Sequence, residues 1–283
     1  DIKKLMKFNF FFIIKFLIFY FLLYGIVNAQ NRYNLPQKVL QGELIISQIN
    51  GYTDQSKVKI FKDKAPLKVS KNGYFVIPID RDRKNNVLLE ICMDQCESTE
   101  IIVLKRNFDI QEINGLPSKL VTPDEKVLER IIAENKIIKR SKKIMIDDEH
   151  FINSFVQPVE GIVTGVFGSQ RILNGKAKSP HRGLDIANDE GTAVVSTNDG
   201  LVVLAEPDLY YTGGTIVIDH GYGVKSIYAH LATVDVKLNN IVKRNEVIGT
   251  VGSTGRSTGP HLHWGIMVFD TYIDPQLLLK KYN

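Results

Sequence analysis

A chain of 283 residues, 44% of them apolar, is long enough for one large or two modest domains and can bury a real core. Its formal net charge of +5 overstates its basicity, because residues 1–29 carry Lys3, Lys4, Lys7 and Lys15 against Asp1, a net +3 that leaves only +2 for the rest. That balance gives no ground for nucleic-acid binding.

Residues 1–29 read as a signal peptide. Lysines at 3, 4 and 7 precede a Phe/Ile/Leu-rich stretch, and after Lys15 the apolar run extends only from Phe16 to Val27. A membrane span needs about 20 such residues, so the run suits the apolar region of an export signal. Val27-Asn28-Ala29 offers a cleavage site after Ala29. The other reading is an uncleaved anchor in which Lys15 snorkels; it is the sole route by which the sequence implies membrane attachment. No cysteine follows the run, which argues against a lipoprotein. An exported location, in the periplasm or cell envelope, is expected.

Residues 38–105 read as a small β-sandwich-like domain. Val58 and Ile60 alternate with lysines, Asn72-Gly73 marks a turn before alternating Phe75, Ile77 and Ile79, and two further strands are expected at Val87–Cys92 and Ile101–Leu104. Cys92 and Cys96 are the chain's two cysteines. In an oxidising compartment so close a pair suggests a disulfide. Two free thiols are the alternative; zinc binding there lacks further ligands.

Residues 106–150 read as a helical linker. Thr122 is placed to cap a helix, Pro123 to occupy its first turn, and Val127, Leu128, Ile131, Ile132, Asn135 and Ile138 follow helical spacing. The lysines and arginine from Lys136 to Lys143 suit the C-terminal end of that helix as a solvated face. From residue 151 to 283 the chain is rich in glycine and β-prone residues, with strands expected at Thr192–Ser196, Gly200–Ala205, Thr215–Asp219, Val224–Leu231, Val247–Val251 and His261–Val268.

This last region carries the chemistry. His181 and Asp185 lie four residues apart, and His261 and His263 flank one leucine. Residues two and four apart in extended chain share a face, so each pair can converge on one point. Imidazoles and a carboxylate without thiolate suit catalytic zinc, where three protein ligands leave a fourth position open. His230 is a fifth group, and spacing alone does not decide which histidines hold the metal. His220 is expected to make a structural hydrogen bond and His150 to lie at the surface. Gly213-Gly214 and Gly252–Gly255 read as turns near a cleft, and Tyr210 and Tyr211 suit either substrate contact or core packing.

The peptide around His181, the segment Tyr228-Ala229-His230-Leu231 and the run from Gly252 to His263 resemble the lysostaphin-type zinc metallopeptidases, which cleave peptidoglycan peptides. The resemblance covers residues 155–276, with Phe167, Gly168 and Arg171 placed as such enzymes place them upstream and Trp264 standing where many members carry Phe. It implies a mainly β chain whose C-terminal part, 151–283, is a compact antiparallel β metallopeptidase domain. It further implies one zinc ion per chain on His181, Asp185 and His263, with His230 and His261 as catalytic histidines outside the ligand set. The implied function is a zinc-dependent endopeptidase acting on peptidoglycan peptide stems, with no partner protein identifiable. The alternative is a catalytically silent cell-wall-binding regulator that activates amidases; such relatives lose metal ligands, whereas all five positions are filled here.

Overall fold

A computed structural model of the chain describes residues 33–50 and 57–282. The expected export segment lies outside these residues. Among the described residues no helix is long and apolar enough to cross a membrane. The fold is mainly β, 43% strand against 13% helix, and the chain divides into two compact units.

The first unit comprises the described residues up to Val39 with Ile45–Phe75 and Asn85–Val103. The strands along the chain as far as Leu104 are β1 (Lys38–Leu40), β2 (Leu44–Gln48), β3 (Lys59–Lys62), β4 (Ala65–Leu67), β5 (Tyr74–Pro78), β6 (Val87–Cys92) and β7 (Cys96–Leu104). Five of them form a sheet in the order β1-β7-β6-β3-β4, and β2 pairs with β5. The alternation in β6 is the simplest to read: Val87, Leu89 and Ile91 are buried while Leu88 is exposed, the pattern of a strand with one solvated face. Cys92 pairs with Cys96 across the β6–β7 hairpin, and the two form a disulfide that closes its turn.

The second unit holds Leu40–Leu44, Val76–Lys84 and the chain from Leu104 onward. It begins with β8 (Ile110–Ile113), a short helix α1 (Ser118–Val121) and the long helix α2 (Glu125–Lys143). The cap of α2 is Asp124, two residues later than the sequence indicates. Thr122 instead ends α1, its N–H bonding the Ser118 carbonyl at 2.8 Å, so the residue is already spent on a preceding helix that local spacing does not announce. The covered face of α2 runs through Val127, Ile131, Glu134, Ile138 and Ser141, while Leu128, Ile132 and Asn135 are exposed. The polar member of the face is thus Glu134 rather than Asn135. It is tolerated because its Oε2 accepts the Tyr210 N–H at 2.8 Å. Ile138 packs on Val203, Leu204, Leu209 and Val217.

The remaining strands are β9 (Ile162–Gly165), β10 (Gln170–Leu173), β11 (Lys176–Ala177), β12 (Leu184–Ala187), β13 (Ala193–Val195), β14 (Gly200–Leu209), β15 (Gly213–Asp219), β16 (Val224–Val234), β17 (Ile241–Val242), β18 (Val247–Val251), β19 (His261–Val268) and β20 (Thr271–Ile273), followed by helix α3 (Pro275–Tyr282). Ten of these strands form one sheet with the main path β17-β14-β15-β16-β19-β12-β9, each strand on it running antiparallel to its neighbours. β15 is buried at every position, which explains its near-continuous apolar run; β16 beside it and β19 beyond β16 supply Tyr228, Leu262, Trp264 and Ile266 to the core. The candidate site is built on β12, β16 and β19, adjacent strands that are themselves largely buried.

Candidate metal centre and cleft

β12 and β19 run antiparallel with Asp185 directly opposite His263. Directly opposed residues point to one face, and the Asp185 Oδ1 lies 2.8 Å from His263 Nδ1. His181 reaches the same point from outside the strand. β12 begins only at Leu184, so the expectation that His181 and Asp185 share one strand does not hold. Backbone bonds to a turn hold the residue instead: His181 N–H to the Ser169 carbonyl at 2.8 Å, and Gly168 N–H to the His181 carbonyl at 2.9 Å. The ring donates Nδ1–H to the Val166 carbonyl at 3.0 Å, which leaves Nε2 bare. That nitrogen lies 3.0 Å from Asp185 Oδ1 and 3.0 Å from His263 Nδ1.

The other carboxylate oxygen is held too. Arg171, on β10, donates to Asp185 Oδ2. Gly165, paired with Asp185 across β9, leaves the room: a Cβ at that position would stand 2.6 Å from Oδ2. Burial alone would raise the pKa of Asp185, but the His181 and His263 rings beside it hold it well below the usual carboxylate range. Burial pushes His181 down to about 4. At neutral pH the cluster therefore offers an ionised carboxylate and a neutral imidazole, the forms that bind metal.

His230 arrives by a different device. Ala229 pairs with His263, so in a regular strand the next side chain would point to the opposite face. His230 instead has φ of +64°, in the left-handed region, with irregular register on both edges of β16 nearby. The reversal turns its ring to within 4.8 Å of the His261 ring and 6.2 Å of the His263 ring, centroid to centroid. Such a backbone costs about 1–3 kcal/mol and persists only where its surroundings enforce it. Here His230 N–H bonds the Thr212 carbonyl at 2.7 Å, and Nδ1–H bonds the Thr254 carbonyl at 2.8 Å. Thr254 Oγ1 in turn bonds the Leu231 carbonyl and the Gly214 N–H. Gly213, with φ of +60°, permits this approach, since a Cβ there would stand 2.0 Å from Thr254 Oγ1. Burial pushes the His230 pKa to about 3, with His261 and His263 adding to the effect, so the ring is neutral with a bare Nε2.

His261 opens β19, with Nδ1 2.9 Å from the Gly259 carbonyl and 3.2 Å from Ser257 Oγ. Its Nε2 lies 4.0 Å from Asp185 Oδ1. The five predicted site residues therefore meet in one place. His220 does not join them: it is fully buried, its Nδ1–H bonding the Asp199 carbonyl at 2.6 Å and its Nε2 accepting from Ser226 at 2.8 Å. His150 is half-exposed, 3.9 Å from an Asp148 oxygen. A cleft of about 360 Å³ opens over the cluster, lined by Asp185, His230 and His261 together with Gln111, Arg171 and Arg256. Arg171 stands near the motif in the sequence with no task marked for it, and nothing local marks the roles of Arg256, Thr254 or Gly165. The one signal for Arg256 is its position inside the Gly-rich run before His261.

The donor set fits a metal ion. His181 Nε2, Asp185 Oδ1 and His263 Nδ1 are 2.8–3.0 Å apart pairwise, and two ligands on one tetrahedral zinc are about 3.3 Å apart.

Residues 179–275 match Peptidase family M23. An uncharacterized metalloprotease of Buchnera aphidicola subsp. Baizongia pistaciae is 30% identical over 264 residues, covering 88% of this chain and 66% of its own. The peptidoglycan DD-endopeptidase ShyB of Vibrio cholerae is 41% identical over 95 residues, 34% of this chain, and this chain spans only 22% of its length. A crystal structure described as a peptidase M23 from Pseudomonas aeruginosa shares the fold, with a TM-score of 0.57 at 24% identity over 85% of this chain and 94% of that one. With the geometry of the site and these matches together, residues 179–275 of this chain form a domain of peptidase family M23.

Proposed function

We propose that this chain is an exported, zinc-dependent endopeptidase that hydrolyses peptide cross-links of bacterial peptidoglycan, acting in the periplasm or cell envelope on the peptide stems. One observation carries the reading: three metal-binding donors lie within 3.0 Å of each other beside two rings whose Nε2 atoms are free to take a proton. His181, Asp185 and His263 would hold the zinc ion. When bound, zinc supplies Lewis-acid chemistry to a carbonyl and its attacking water.

The protein's own groups do the rest. Arg171 fixes the Asp185 carboxylate. The Thr254 and Gly259 carbonyls hold His230 and His261 in the tautomer with Nδ1–H, so each presents Nε2 as a proton acceptor. One of these rings takes the proton of the attacking water, and the pair protonates the leaving amine and stabilises the oxyanion. Similarity to the endopeptidase ShyB supports peptidoglycan as substrate. The Cys92–Cys96 disulfide supports an oxidising compartment.

The test is digestion of purified sacculi, with soluble muropeptides identified by mass spectrometry. The proposal expects cleaved cross-links that vanish with a chelator and return with added zinc. Release that is absent, or unaffected by chelation, would favour a silent regulator or a different hydrolase.

A further inference from the structure

Arg256 lies on the turn between β18 and β19 and lines the cleft beside His230 and His261. Its backbone N–H bonds the Tyr211 carbonyl at 2.8 Å, and its guanidinium stands 4.8 Å from the centre of the Tyr211 ring. The aromatic face supports the cation from one side. No carboxylate among the described residues lies within ion-pair distance. Arg171, a like charge lining the same cleft, repels Arg256. Asp185 is the sole acidic residue lining the cleft, and both of its oxygens are engaged, by Arg171 and by the two imidazoles. The Arg256 guanidinium is half-buried in the cleft lining, and that partial burial disfavours its charge. Its planar fork matches a carboxylate in two parallel bonds.

We propose that Arg256 is a specificity residue that binds a free carboxylate of the substrate peptide, so that the site prefers peptides ionised beside the scissile bond over the same peptides amidated there. This rests on the peptidase reading above and names the chemical class of its substrate. Stacking on Tyr211 would give Arg256 a purely structural role, and that role would not distinguish an acid from an amide.

The experiment uses cross-linked peptides in which each carboxylate flanking the scissile bond is converted in turn to a carboxamide. kcat/KM is measured for the zinc-loaded full chain and for the variants R256A and R256K, with zinc content and circular dichroism confirming that each is folded. Binding of the corresponding acid and amide product peptides is measured in parallel, since it reads recognition without hydrolysis. The wild type is expected to favour the acid over one particular amide by about 10- to 100-fold. R256A should bring that ratio close to one, and R256K should retain part of it, having charge without the fork. Equal handling of the acid and every amide by the wild type, or an unchanged ratio in R256A, overturns the inference. If R256A fails to fold, an R256K ratio equal to wild type overturns it equally. Arg256-dependent preference in binding without any cleavage would leave the recognition standing and sink the peptidase reading instead.

Discussion

Asp185 and His263 face each other across the β12–β19 pairing, and the 2.8 Å between Oδ1 and Nδ1 follows from that register. A slip of one residue would send His263 to the core face and Leu262 into the cleft. The geometry of the candidate metal site is therefore a property of strand pairing, with His181 added from a tethered turn.

The two unliganded rings should separate cleanly from the three proposed ligands. His230→Ala and His261→Ala are expected to keep zinc while losing about 10²- to 10⁴-fold in rate, the usual worth of a positioned acid–base group. Metal analysis of each purified variant beside its kcat on a peptide substrate checks this. Loss of zinc from either variant would move that histidine into the ligand set.

Arg171 is expected to act through Asp185. Arg171→Ala should weaken zinc affinity by about 10- to 100-fold, the effect typical of groups that orient a ligand. Titration against a chelating dye measures it, and unchanged circular dichroism separates the effect from unfolding. A Gly165→Ala variant should also bind zinc less tightly, because its methyl group would press on Asp185 Oδ2 at 2.6 Å.

Thr254 holds the strained turn at His230 through its hydroxyl. Thr254→Val removes bonds to the Leu231 carbonyl at 2.8 Å and from the Gly214 N–H at 2.9 Å. Stability should fall by about 1–3 kcal/mol, and kcat should fall with zinc occupancy unchanged. Urea unfolding and turnover on the same preparation test both halves. Full activity in a destabilised Thr254→Val protein would show that the hydroxyl does not govern the His230 ring.

His220 predicts a pH dependence of stability away from the cleft. Burial pushes its pKa from 6.5 to about 4, so the folded state holds the ring neutral while the unfolded chain protonates it. The unfolded state then binds more protons, and stability is full above pH 6.5 and declines as pH falls toward 4. The loss attached to this one group is about 3 kcal/mol. Urea midpoints between pH 7.5 and pH 4.5, compared with His220→Gln, isolate it. The variant should show a slope shallower by about one proton, and identical slopes would contradict the assignment.

Much of this was legible in the sequence because it rests on alternation and on motifs. The strands Val87–Cys92, Val247–Val251 and His261–Val268 stand where their residues indicate. His261 and His263 share a face because a strand has a period of two. The side on which His230 lies was not legible, since it depends on a left-handed residue that strand periodicity argues against. Thr122 does not cap the long helix, against its local signal, because a short helix upstream already uses that residue. Arg171 and Arg256 carry no local pattern. Their surroundings come from β10, β12 and the loop at Tyr211, segments far apart in the chain and joined only by the fold.

The metal site is the claim on which the account stands, and zinc stoichiometry in His263→Ala tests it most directly. Elemental analysis should find about one ion per wild-type chain, the single tetrahedral site of the donor set, and essentially none in a folded His263→Ala protein. Full zinc occupancy in that variant would contradict the account.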